Sequence, residues 1–540
     1  MALTSSIAEA EVIVVGAGPA GLALAIELAS RSVPCQVIEK NEGIGSAPRA
    51  KLTNVRTAEL LRRWGIADKL AEAAPFGIDY PSNILFVTRL GGPLIARIEN
   101  AFACQPGRDP RYSAHGQWIP QYKLEAVLLD HLRSLPGVKI SFGEELIGIN
   151  QDSASVQASI RNAGTGDIRS VTARYLVGAD GARSTVRTQI GVKMKGVYGL
   201  SRNYNTIFEA PGLASKHRHG PGVIIWQLNK DVPSVIGPMD VGDRWYFMPT
   251  GVAENAAFKP EHMADLIRLS TGIDDVPYRV LSSDEWVASR LLADRYSAGR
   301  VYLIGDACHL HPPYGGHGMN MGVADGVDLG WKLAAVLHGW AGAALLDTYE
   351  IERRPVHEVV MEDALAHHGM SPNQLIREGI EDEGPEGEAT RQKLARMILA
   401  NKQSQFHSLG VTLGNRYRGS PTIAAEETAA PTQTSHEYVP SAAPGCLAPH
   451  RWLPDGRSLY DVFGAGFTLI VLDPRCHEQA LETLARARRL GIPLDLVELA
   501  DDALRALYEA PLTLVRPDQH VAWRGTNLPI DLLEKVTARP

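Results

Sequence analysis

The sequence predicts an α/β protein with three parts: a parallel-sheet domain, an antiparallel sheet inserted into it, and a small α/β domain at the C-terminus. Apolar strands at 12–15 and 301–304 each run into a glycine-rich turn and then a helix, as parallel α/β units do. Residues 200–290 instead hold short β-branched and aromatic segments between turn residues, which is typical of antiparallel sheets. A stretch rich in Pro, Ala, Ser and Thr, 416–446, precedes a final alternation of strand and helix.

The chain has 540 residues, more than one compact domain usually holds. We expect the parallel-sheet domain to be discontinuous, because the inserted sheet interrupts it twice. The predicted bounds are 1–80, 110–199 and 291–415 for the parallel-sheet domain, 81–109 and 200–290 for the inserted sheet, 416–446 for a linker, and 447–540 for the terminal domain.

The first glycine-rich turn predicts a dinucleotide site. It lies in Glu11–Gly21, EVIVVGAGPAG, where an apolar strand enters Gly-x-Gly-x-x-Gly ahead of a helix of small residues. Gly16 suits the tight turn, Gly18 lets backbone approach a pyrophosphate, and Gly21 permits close helix packing. A second strand ends at Glu39, where a carboxylate would bind a ribose 2′-hydroxyl and disfavour a 2′-phosphate.

The second glycine-rich stretch follows the strand 301–304 and reads GDACHLHPPYGGHGMNMG. Asp306 ends that strand, at the edge where open α/β sheets bind ligands. The glycines of its GGHG run would let backbone approach a flat ligand closely. We expect a helix to begin at about Met319, with its first amides facing an electron-rich ring edge. A third apolar strand ends in GADGARS, 178–184.

Composition excludes several classes of function. The net charge of −7 offers no basic surface for nucleic acid. Five scattered cysteines without a CxxC pair indicate neither a zinc site nor a dithiol, and they fit a reducing cytoplasm. The first eleven residues lack the basic region of a secretory signal. Glycine and proline interrupt the apolar stretch at 12–29, so we expect no membrane span.

Three motifs stand together in this chain: GAGPAG with the downstream Glu39, GADGARS, and GDACHLHPPYGGHGMNMG. Their combination resembles the FAD-dependent aromatic hydroxylases of the p-hydroxybenzoate hydroxylase type, the single-component flavoprotein monooxygenases. The tail from Leu514 to Arg524 is similar to the phenol hydroxylase and 3-(3-hydroxyphenyl)propionate hydroxylase branch, which appends a thioredoxin-like domain without its cysteines. The resemblance implies a Rossmann-like FAD-binding domain whose inserted sheet roofs the cofactor and holds the substrate.

The resemblance also implies cofactor contacts at the positions that match the family's motifs. The glycine-rich turn and Glu39 would hold the pyrophosphate and the adenosine ribose, and Asp306 the ribitol. Asp180 matches a position linked to both FAD and NAD(P)H, whereas Pro313 would lie near the flavin edge. The full expected set is Gly16, Gly18, Ala20, Gly21, Glu39, Lys40, Arg49, Gln121, Asp180, Asp306, Pro313, Gly316, Gly318, Met319 and Asn320.

At some positions the chain departs from the family's pattern, and at others the function of the side chain is not decided by the sequence. Relatives often show Asp-Ala-x-Asn where this chain has Asp325-Gly-Val-Asp328, which leaves the role of Asp328 open. His317 is a variable position within the GGHG run and a candidate substrate contact. His309 and His311 are spaced like metal ligands on one strand, but no third ligand pattern accompanies them, so we expect no metal.

The implied activity is hydroxylation of a phenolic or related aromatic compound. NAD(P)H would reduce FAD, and O2 would then form a C4a-hydroperoxide that attacks an electron-rich ring. A phenol reacts better after losing its proton, so a base or a hydrogen-bond acceptor is expected beside it. The catalytic candidates are His217, Tyr204 and Tyr246 on the inserted sheet, for each of which a structural or surface role stays open, and Pro313 at the flavin edge.

Two other functions stay open. One is a related FAD monooxygenase that performs Baeyer–Villiger oxidation or epoxidation on a polyketide-like aromatic. The other is a nucleotide-binding module without enzymatic activity, whose terminal domain binds a partner. The sequence does not choose between NADH and NADPH, and it leaves the oligomeric state open, although dimers are common among similar proteins.

Overall fold

A computed structural model describes residues 10–45, 49–252, 260–426 and 431–540. At the centre of the fold is a sheet of six strands whose middle members are apolar and buried on both faces, as parallel sheets require. The edge strand Ser297–Ala298 is antiparallel to its neighbour Val301–Leu303, and the other neighbouring pairs are parallel. In spatial order the strands are Ser297–Ala298, Val301–Leu303, Tyr175–Gly178, Val12–Val15, Cys35–Glu39 and Val138–Phe142.

The register of this sheet brings the three sequence motifs together. Val15 pairs with Gly178, and Gly178 pairs with Leu303, so three strands end side by side. The turns after these strands hold the GAGPAG, GADGARS and GDACH motifs. Ligands bind at this carboxyl edge in open α/β sheets. The predicted Rossmann-like core is confirmed, and three loops form its ligand-binding edge.

Two helices, Pro19–Ser30 and His317–Leu337, begin at this edge and pack against each other. Their contact leaves no room for side chains, because a Cβ at Gly326 would lie 2.7 Å from the carbonyl oxygen of Ala20. The second helix begins two residues earlier than predicted. It also continues through Trp331. The glycines of the second helix made its sequence resemble a loop, but this close helix packing requires them.

The inserted domain is a mixed sheet of eight strands, called the roof sheet below. Two of its strands extend beyond the predicted bounds, to Met194 and Ala293, and His309–Leu310 joins its edge from the second glycine-rich stretch. One neighbouring pair is parallel and the others are antiparallel. In spatial order the strands are His309–Leu310, Arg279–Ala293, Met194–Glu209, Arg244–Pro249, Ser234–Asp240, Ile224–Gln227, Ile84–Val87 and Leu94–Ile98.

The two faces of the roof sheet are covered by different elements. Neighbouring residues of a strand alternate between the faces, so Tyr246 and Trp245 belong to opposite ones. The face with Trp245 packs against the helix Pro260–Thr271. The opposite face packs against the helix Pro385–Phe406 and is called the aromatic face below. The rings clustered at the aromatic face are Phe86, Phe102, Trp118, Trp226, Tyr246 and Phe406.

The other elements of the first 415 residues surround these two sheets. Two small antiparallel sheets are formed by Leu52–Thr53 with Gln117–Trp118, and by Glu144–Gln151, Val156–Asn162 and Ile168–Ala173. The further helices are Val55–Arg63, Ala67–Ala73, Gln121–Ser134, Thr185–Gln189, Leu213–Lys216, Thr348–His368, Pro372–Leu375 and Leu409–Leu413. In the part of the chain that the structure describes, no helix combines the length and apolarity that a membrane crossing needs.

The terminal domain is a sheet of four strands with helices packed on it. Its first two strands in the sequence are parallel, and the later two add antiparallel neighbours, which is the thioredoxin-like arrangement. In spatial order the strands are Leu494–Glu498, Phe467–Val471, Leu512–Val515 and Val521–Gly525. The helices are His477–Leu490, Asp502–Tyr508 and Leu532–Val536. Cys476 and Cys446, the two cysteines of this region, are free.

The segment predicted as a linker, 416–446, is packed in its described part; residues 427–430 lie outside the described residues. Tyr417, Ile423 and Tyr438 are buried, and the ring of Tyr417 stacks on that of His520 at 4.1 Å. The segment therefore differs from the exposed tether that its composition indicated. Its apolar residues cover the junction between the first domain and the terminal domain.

Buried charges join the terminal domain to the first domain. They form the interdomain ion cluster, whose members are Asp328, Lys332, Glu352, Arg516 and Asp518. Lys332 lies 2.8 Å from Asp328 and 2.6 Å from Glu352. Arg516 lies 2.6 Å from Glu352 and 3.4 Å from Asp328. The carboxyl that replaces the family's Asn at position 328 thus contacts both cations of the cluster, which answers the question that the sequence left open.

Candidate cofactor and substrate site

The glycines of the first turn divide into two that pack and one that leaves space. Gly16 has a φ of +108°, and a Cβ there would lie 2.3 Å from the carbonyl oxygen of Ala179. A Cβ at Gly21 would lie 2.0 Å from the Gly16 carbonyl oxygen. By contrast, a Cβ at Gly18 would have no described atom within 4 Å. Gly18 is therefore where a ligand can approach the backbone, as a pyrophosphate requires.

Two helix N-termini open toward this edge without a protein cap. The N-cap residues are Gly18 for Pro19–Ser30 and Gly316 for His317–Leu337, and neither provides a side-chain hydrogen bond. Neither first turn contains an acidic residue. The free N–H groups and the partial positive charge of such termini favour anionic or electron-rich ligands. The residues present therefore fit a ligand with phosphates at one end and a polar ring edge at the other.

Glu39 is held at the end of its strand by backbone donors. Its Oε2 accepts a 2.9 Å hydrogen bond from the amide of Ala17, and its Oε1 accepts one of 2.9 Å from the amide of Asn41. Lys40 is exposed beside it. The side chain of Ala20 faces Gly305 and Gly322, so it sets the spacing between helices rather than lining the open side of the turn.

Arg49, Gln121 and Asp306 lie around one cleft. The Asp306 carboxyl is accessible from the cleft yet surrounded by protein, and this burial raises its pKa against the smaller opposing effects of His309 and Arg49. Arg49 itself is exposed. Gln121 begins its helix and donates a 2.8 Å hydrogen bond from Nε2 to Glu125. The structure brings these three predicted residues together.

Asp180 is engaged within its own loop. It accepts a 2.5 Å hydrogen bond from Ser184 Oγ and one of 3.0 Å from the amide of Val186. Ser184 in turn accepts a bond from the amide of Arg187, which caps the short helix there. A guanidinium nitrogen of Arg187 donates to the carbonyl of Ala307 at 2.9 Å. The Asp-Gly motif therefore fixes the second loop against the third.

Residues 313–320 form the ring loop, with Pro313 exposed at its start. Gly316 has a φ of +66°, a left-handed value that suits glycine. The side chain of Asn320 is buried, where Nδ2 donates to the carbonyls of Leu52 at 3.0 Å and Gly316 at 2.8 Å. Asn320 therefore ties the ring loop to the neighbouring strand with its side chain. Its backbone, like that of Gly318 and Met319, lies in the first turn of the helix.

A buried hydrogen-bond network supports the ring loop from behind. Asp325 accepts from His309 Nε2 at 2.7 Å, His357 Nε2 at 3.0 Å and Arg353 Nε at 2.8 Å. It also accepts from the amide of Gly305 at 3.1 Å. Burial alone would raise the pKa of Asp325, but the neighbouring His357 and Arg353 hold it well below its usual range. The network explains His309 as a support for the loop, and the absence of a metal stays a prediction.

His317, the candidate substrate contact within the GGHG run, is buried away from the cleft. It is 2% exposed, and its Nε2 lies 3.6 Å from Asp363 on the helix Thr348–His368. A Cβ on the nearby Gly315 would clash with its ring. The expectation is corrected for a physical reason: the first helical turn directs this side chain into the protein.

Tyr246 is the catalytic candidate that lies on the aromatic face. Its hydroxyl donates a 3.4 Å hydrogen bond to the carbonyl of Val223. Burial raises the pKa of Tyr246, so the hydroxyl keeps its proton. Tyr314, the residue after Pro313, packs against the same aromatic cluster. Gly315 of the ring loop and Phe102 of the aromatic face also line one cavity, so the ring loop and the aromatic face border a common cleft.

The structure places the other two roof-sheet candidates on the opposite face. His217 contacts Trp245, with ring centroids 6.5 Å apart. Tyr204 lies three residues before Ile207 in a regular stretch of strand, so its side chain leaves from the face opposite that of Ile207. Its hydroxyl donates to Glu285 at 3.1 Å. Both expectations are corrected: strand alternation directs Tyr204 away from the aromatic face, and His217, which follows the helix Leu213–Lys216, lies on the side of Trp245.

Two lysines beside the aromatic face, the half-buried Lys51 and the buried Lys402, were not singled out from the sequence. Nζ of Lys51 lies 4.4 Å from the ring centroid of Tyr246, and Nζ of Lys402 lies 4.5 Å from that of Trp226. Burial lowers the pKa of both, that of Lys402 to about 7. Neither ammonium forms an ion pair with a carboxylate among the described residues. The one sequence feature that could have drawn attention to Lys51 is its position two residues after Arg49, an expected cofactor contact.

The cleft has an uncapped helix terminus at each end and the Glu39 carboxylate beside one of them. These features are typical of proteins that bind a flavin dinucleotide. Comparison with protein families agrees with this class. Residues 9–364 match the FAD binding domain, and residues 441–539 match the C-terminal domain of aromatic-ring hydroxylases. The chain belongs to the FAD-dependent aromatic-ring hydroxylase family.

Individual relatives support the same assignment. Tetracenomycin B2 monooxygenase-dioxygenase from Streptomyces olivaceus is 35% identical over 98% of each chain. 2,4-Dichlorophenol 6-monooxygenase from Cupriavidus pinatubonensis is 31% identical over 98% of this chain and 95% of its own. RebC with bound 7-carboxy-K252c superposes with a TM-score of 0.90 at 33% identity, covering 99% of this chain and 100% of RebC. A ternary complex of aklavinone-11 hydroxylase with FAD and aklavinone gives a TM-score of 0.85 at 30% identity, with coverage of 99% and 100%. The chain is thus an FAD-dependent monooxygenase, and the predicted family and cofactor are confirmed.

Proposed function

We propose that this protein uses NAD(P)H and O2 to hydroxylate a phenolic or related aromatic compound bound between the ring loop and the aromatic face. The observation that carries the proposal is the packing of Tyr314 in the ring loop against the aromatic cluster of the roof sheet. This packing puts a ring-binding surface next to the loop that would hold the flavin ring. An electron-rich aromatic substrate fits such a surface.

FAD, when bound, supplies the electron transfer and the oxygen chemistry. The chain's own residues bind the substrate ring, orient it and exclude water from the reacting atoms. The aromatic face provides the apolar wall, and the uncapped first turn at Gly316 favours an electron-rich ring edge. The sequence holds no second Gly-x-Gly-x-x-Gly, which supports transient binding of the nicotinamide nucleotide in the same cleft.

A second candidate is Baeyer–Villiger oxidation or epoxidation of a polyketide-like aromatic. Several relatives carry the names of polycyclic compounds, among them tetracenomycin and aklavinone, and the aromatic face contains six aromatic rings. A cytoplasmic location is part of the proposal and is supported by the free state of all five cysteines. A homodimer is proposed by analogy with similar proteins.

The test is a screen of simple phenols and polycyclic hydroxyaromatics for faster NAD(P)H oxidation by the purified, yellow holoenzyme. We expect at least one compound to accelerate oxidation and to yield a product heavier by one oxygen atom, which carries label when the gas is 18O2. Faster oxidation that yields only hydrogen peroxide would contradict the proposal for that compound. If no compound gave an oxygenated product, the proposed function would be wrong. Product structures by NMR separate hydroxylation from ring-oxygen insertion and epoxidation.

A further inference from the structure

Lys51 lies between the ring loop and the aromatic face. The next residue, Leu52, accepts the hydrogen bond from Asn320 of the ring loop. On the other side, Nζ of Lys51 donates to two carbonyls of the roof-sheet domain, those of Val223 and Pro238, the latter at 2.9 Å. The side chain keeps part of its surface accessible. Nζ of Lys51 therefore lies beside the rings of the aromatic face, against which the proposed function places the substrate ring.

The charge of Lys51 has no protein counterion. Burial lowers its pKa well below the usual value, and no carboxylate acts against this. Asp240, on the roof strand that also contains Pro238, is taken by Lys123 at 2.8 Å and by the hydroxyl of Tyr122. Tyr246 faces Lys51 with its ring and gives its hydroxyl hydrogen to a carbonyl. The surroundings therefore favour a neutral amine when no ligand is bound.

A neutral amine at this position has a free lone pair. It carries two N–H groups, and the two roof-sheet carbonyls, those of Val223 and Pro238, match this number. No other hydrogen-bond partner of Nζ occurs among the described residues. The fourth tetrahedral position on Nζ thus has no hydrogen-bond partner in the part of the chain that the structure describes. Lysines with a pKa lowered by burial serve as general bases for this reason.

On the basis of the proposed function, we infer that Lys51 is the catalytic base: its neutral amine accepts the proton of a phenolic hydroxyl, and the resulting ammonium holds the phenolate. The O–H bond breaks, a third N–H bond forms on Nζ, and the bonding electron pair stays on the oxygen. The cleft gains an ion pair and no net charge. The rings of Tyr246 and Trp118, with centroids 4.4 Å and 5.3 Å from Nζ, stabilise the ammonium.

The other titratable groups near the aromatic face are worse bases. Tyr246 keeps its proton, because burial raises its pKa. Lys402 has no accessible surface, and its Nζ is held by the carbonyl of His367 at 3.2 Å and by Gln405 Oε1 at 2.7 Å. His217 lies on the opposite face of the roof sheet. Lys51 combines a free lone pair with access to the cleft.

Lys51→Met tests the inference through the pH profile of kcat/KM. The wild-type enzyme should lose activity as pH falls through the pKa of Lys51, because an ammonium cannot accept a proton. Lys51→Met should be slower by about 10²-fold or more on a weakly acidic phenol. Its rate should instead rise with pH as the phenol ionises in solution. Lys51→Arg cannot accept a proton either, but its charge should keep affinity for the phenolate.

Rescue by acidic phenols distinguishes a base from a structural residue. We compare a phenol with a more acidic halogenated analogue and use the ratio of wild-type to variant rates, which cancels the different ring reactivities. The ratio for Lys51→Met should shrink by about tenfold or more with the acidic analogue, because that substrate arrives ionised. A merely structural role would lower both rates by the same factor. FAD content and melting temperature check that each variant is folded.

Binding of 1,2-dihydroxyanthraquinone gives a readout without turnover, because its colour changes when its phenol ionises. In the wild-type holoenzyme we expect a bound-dye pKa lower by about 1–3 units than in Lys51→Met. Lys69→Met is the matched control, since that lysine is exposed and pairs with Asp130 at 3.4 Å, so its loss should not change the bound dye's pKa. The same dye pKa in wild type and Lys51→Met would overturn the inference.

The outcomes separate this inference from the proposed function. If the wild-type enzyme hydroxylates phenols while Lys51→Met keeps the acidic limb of the pH profile, the inference fails and the function stands. If no aromatic compound is oxygenated, the function fails, and the dye titration alone still shows whether Lys51 stabilises a phenolate.

Discussion

The molecule buries positive charge in two different ways. In the interdomain ion cluster, Lys332 and Arg516 are surrounded by the carboxyls of Asp328, Glu352 and Asp518. At the aromatic face, the two lysines meet only carbonyl oxygens, an amide oxygen and rings. The first arrangement compensates each cation with an acid, whereas the second leaves the cation without one.

The difference appears in the ionisation of the two regions. Burial would raise the pKa of Glu352, but Arg516 and Lys332 lower it to about 2, so it stays charged. The pKa of Lys402 falls to about 7, because burial acts on it alone. Compensated charges therefore hold two domains together, and uncompensated ones are available to a ligand or a proton. The comparison teaches that the counterion, more than the burial, separates a structural lysine from a functional one.

The largest effect is expected from breaking the compensated region. Arg516→Met would leave Glu352 and Asp518 without their main cation in a buried place. We expect a loss of about 3–5 kcal/mol in the free energy of unfolding, measured by urea denaturation. FAD should be released at a lower urea concentration as well. Arg457→Met, which removes an ion pair with Asp455 that is exposed on both sides in the same terminal domain, is the control and should change stability little. Equal effects of the two substitutions would contradict the structural role of the cluster.

An effect of opposite sign is expected at the aromatic face. The folded pKa of Lys402, about 7, lies below that of an unfolded lysine, about 10.4, so the folded state binds fewer protons between these values. Wild-type stability should therefore rise as pH increases from about 7 to about 10. Lys402→Met should lack this rise and be more stable than wild type at pH 7 and below, on the order of 2 kcal/mol. Denaturation at several pH values measures both; a destabilised Met variant at pH 6 would refute the idea that this charge is uncompensated.

The sequence predicted the geometry of the first glycine-rich turn well, because its signals are local. Gly16, Gly18 and Gly21 act within one turn, and Glu39 follows at the end of the next strand, so spacing alone carries the prediction. The start of the helix at His317 was missed by two residues, because a glycine-rich run looks like loop until close packing requires it. The family resemblance rested on the same local motifs.

The substrate end was predicted poorly, because it depends on tertiary structure. His217 and Tyr204 were chosen by residue type, but strand register sets the face that Tyr204 occupies, and the helix Leu213–Lys216 sets the position of His217. Lys51 and Lys402 looked like ordinary polar residues, since neither burial nor the lack of a nearby acid can be read from one sequence. Of the three roof-sheet candidates Tyr246 lies on the aromatic face, and its catalytic role stays a prediction.

The smallest effect is expected from Asp328, at the edge of the compensated region. Burial raises its pKa to about 7, against the charges of Lys332 and Arg516, so the folded state holds a proton that the unfolded state has lost. The wild-type stability that this group contributes should be lost as pH rises from about 4 to about 7. Asp328→Asn should remove that slope and gain about 1 kcal/mol relative to wild type as pH rises through this window, because an amide oxygen still accepts the hydrogen bond from Lys332 Nζ without ionising.

Asp518→Asn is the matched comparison for Asp328→Asn. Burial would raise the pKa of Asp518, but Arg516 and His520 hold it well below its usual range. Its contribution to stability is therefore present above pH 4, and Asp518→Asn should be destabilising at neutral pH. Urea denaturation from pH 4 to pH 8 should thus give effects of opposite sign for the two substitutions. The same sign for both would mean that the cluster is held together by packing rather than by its charges, and that the contrast with Lys51 and Lys402 lies elsewhere.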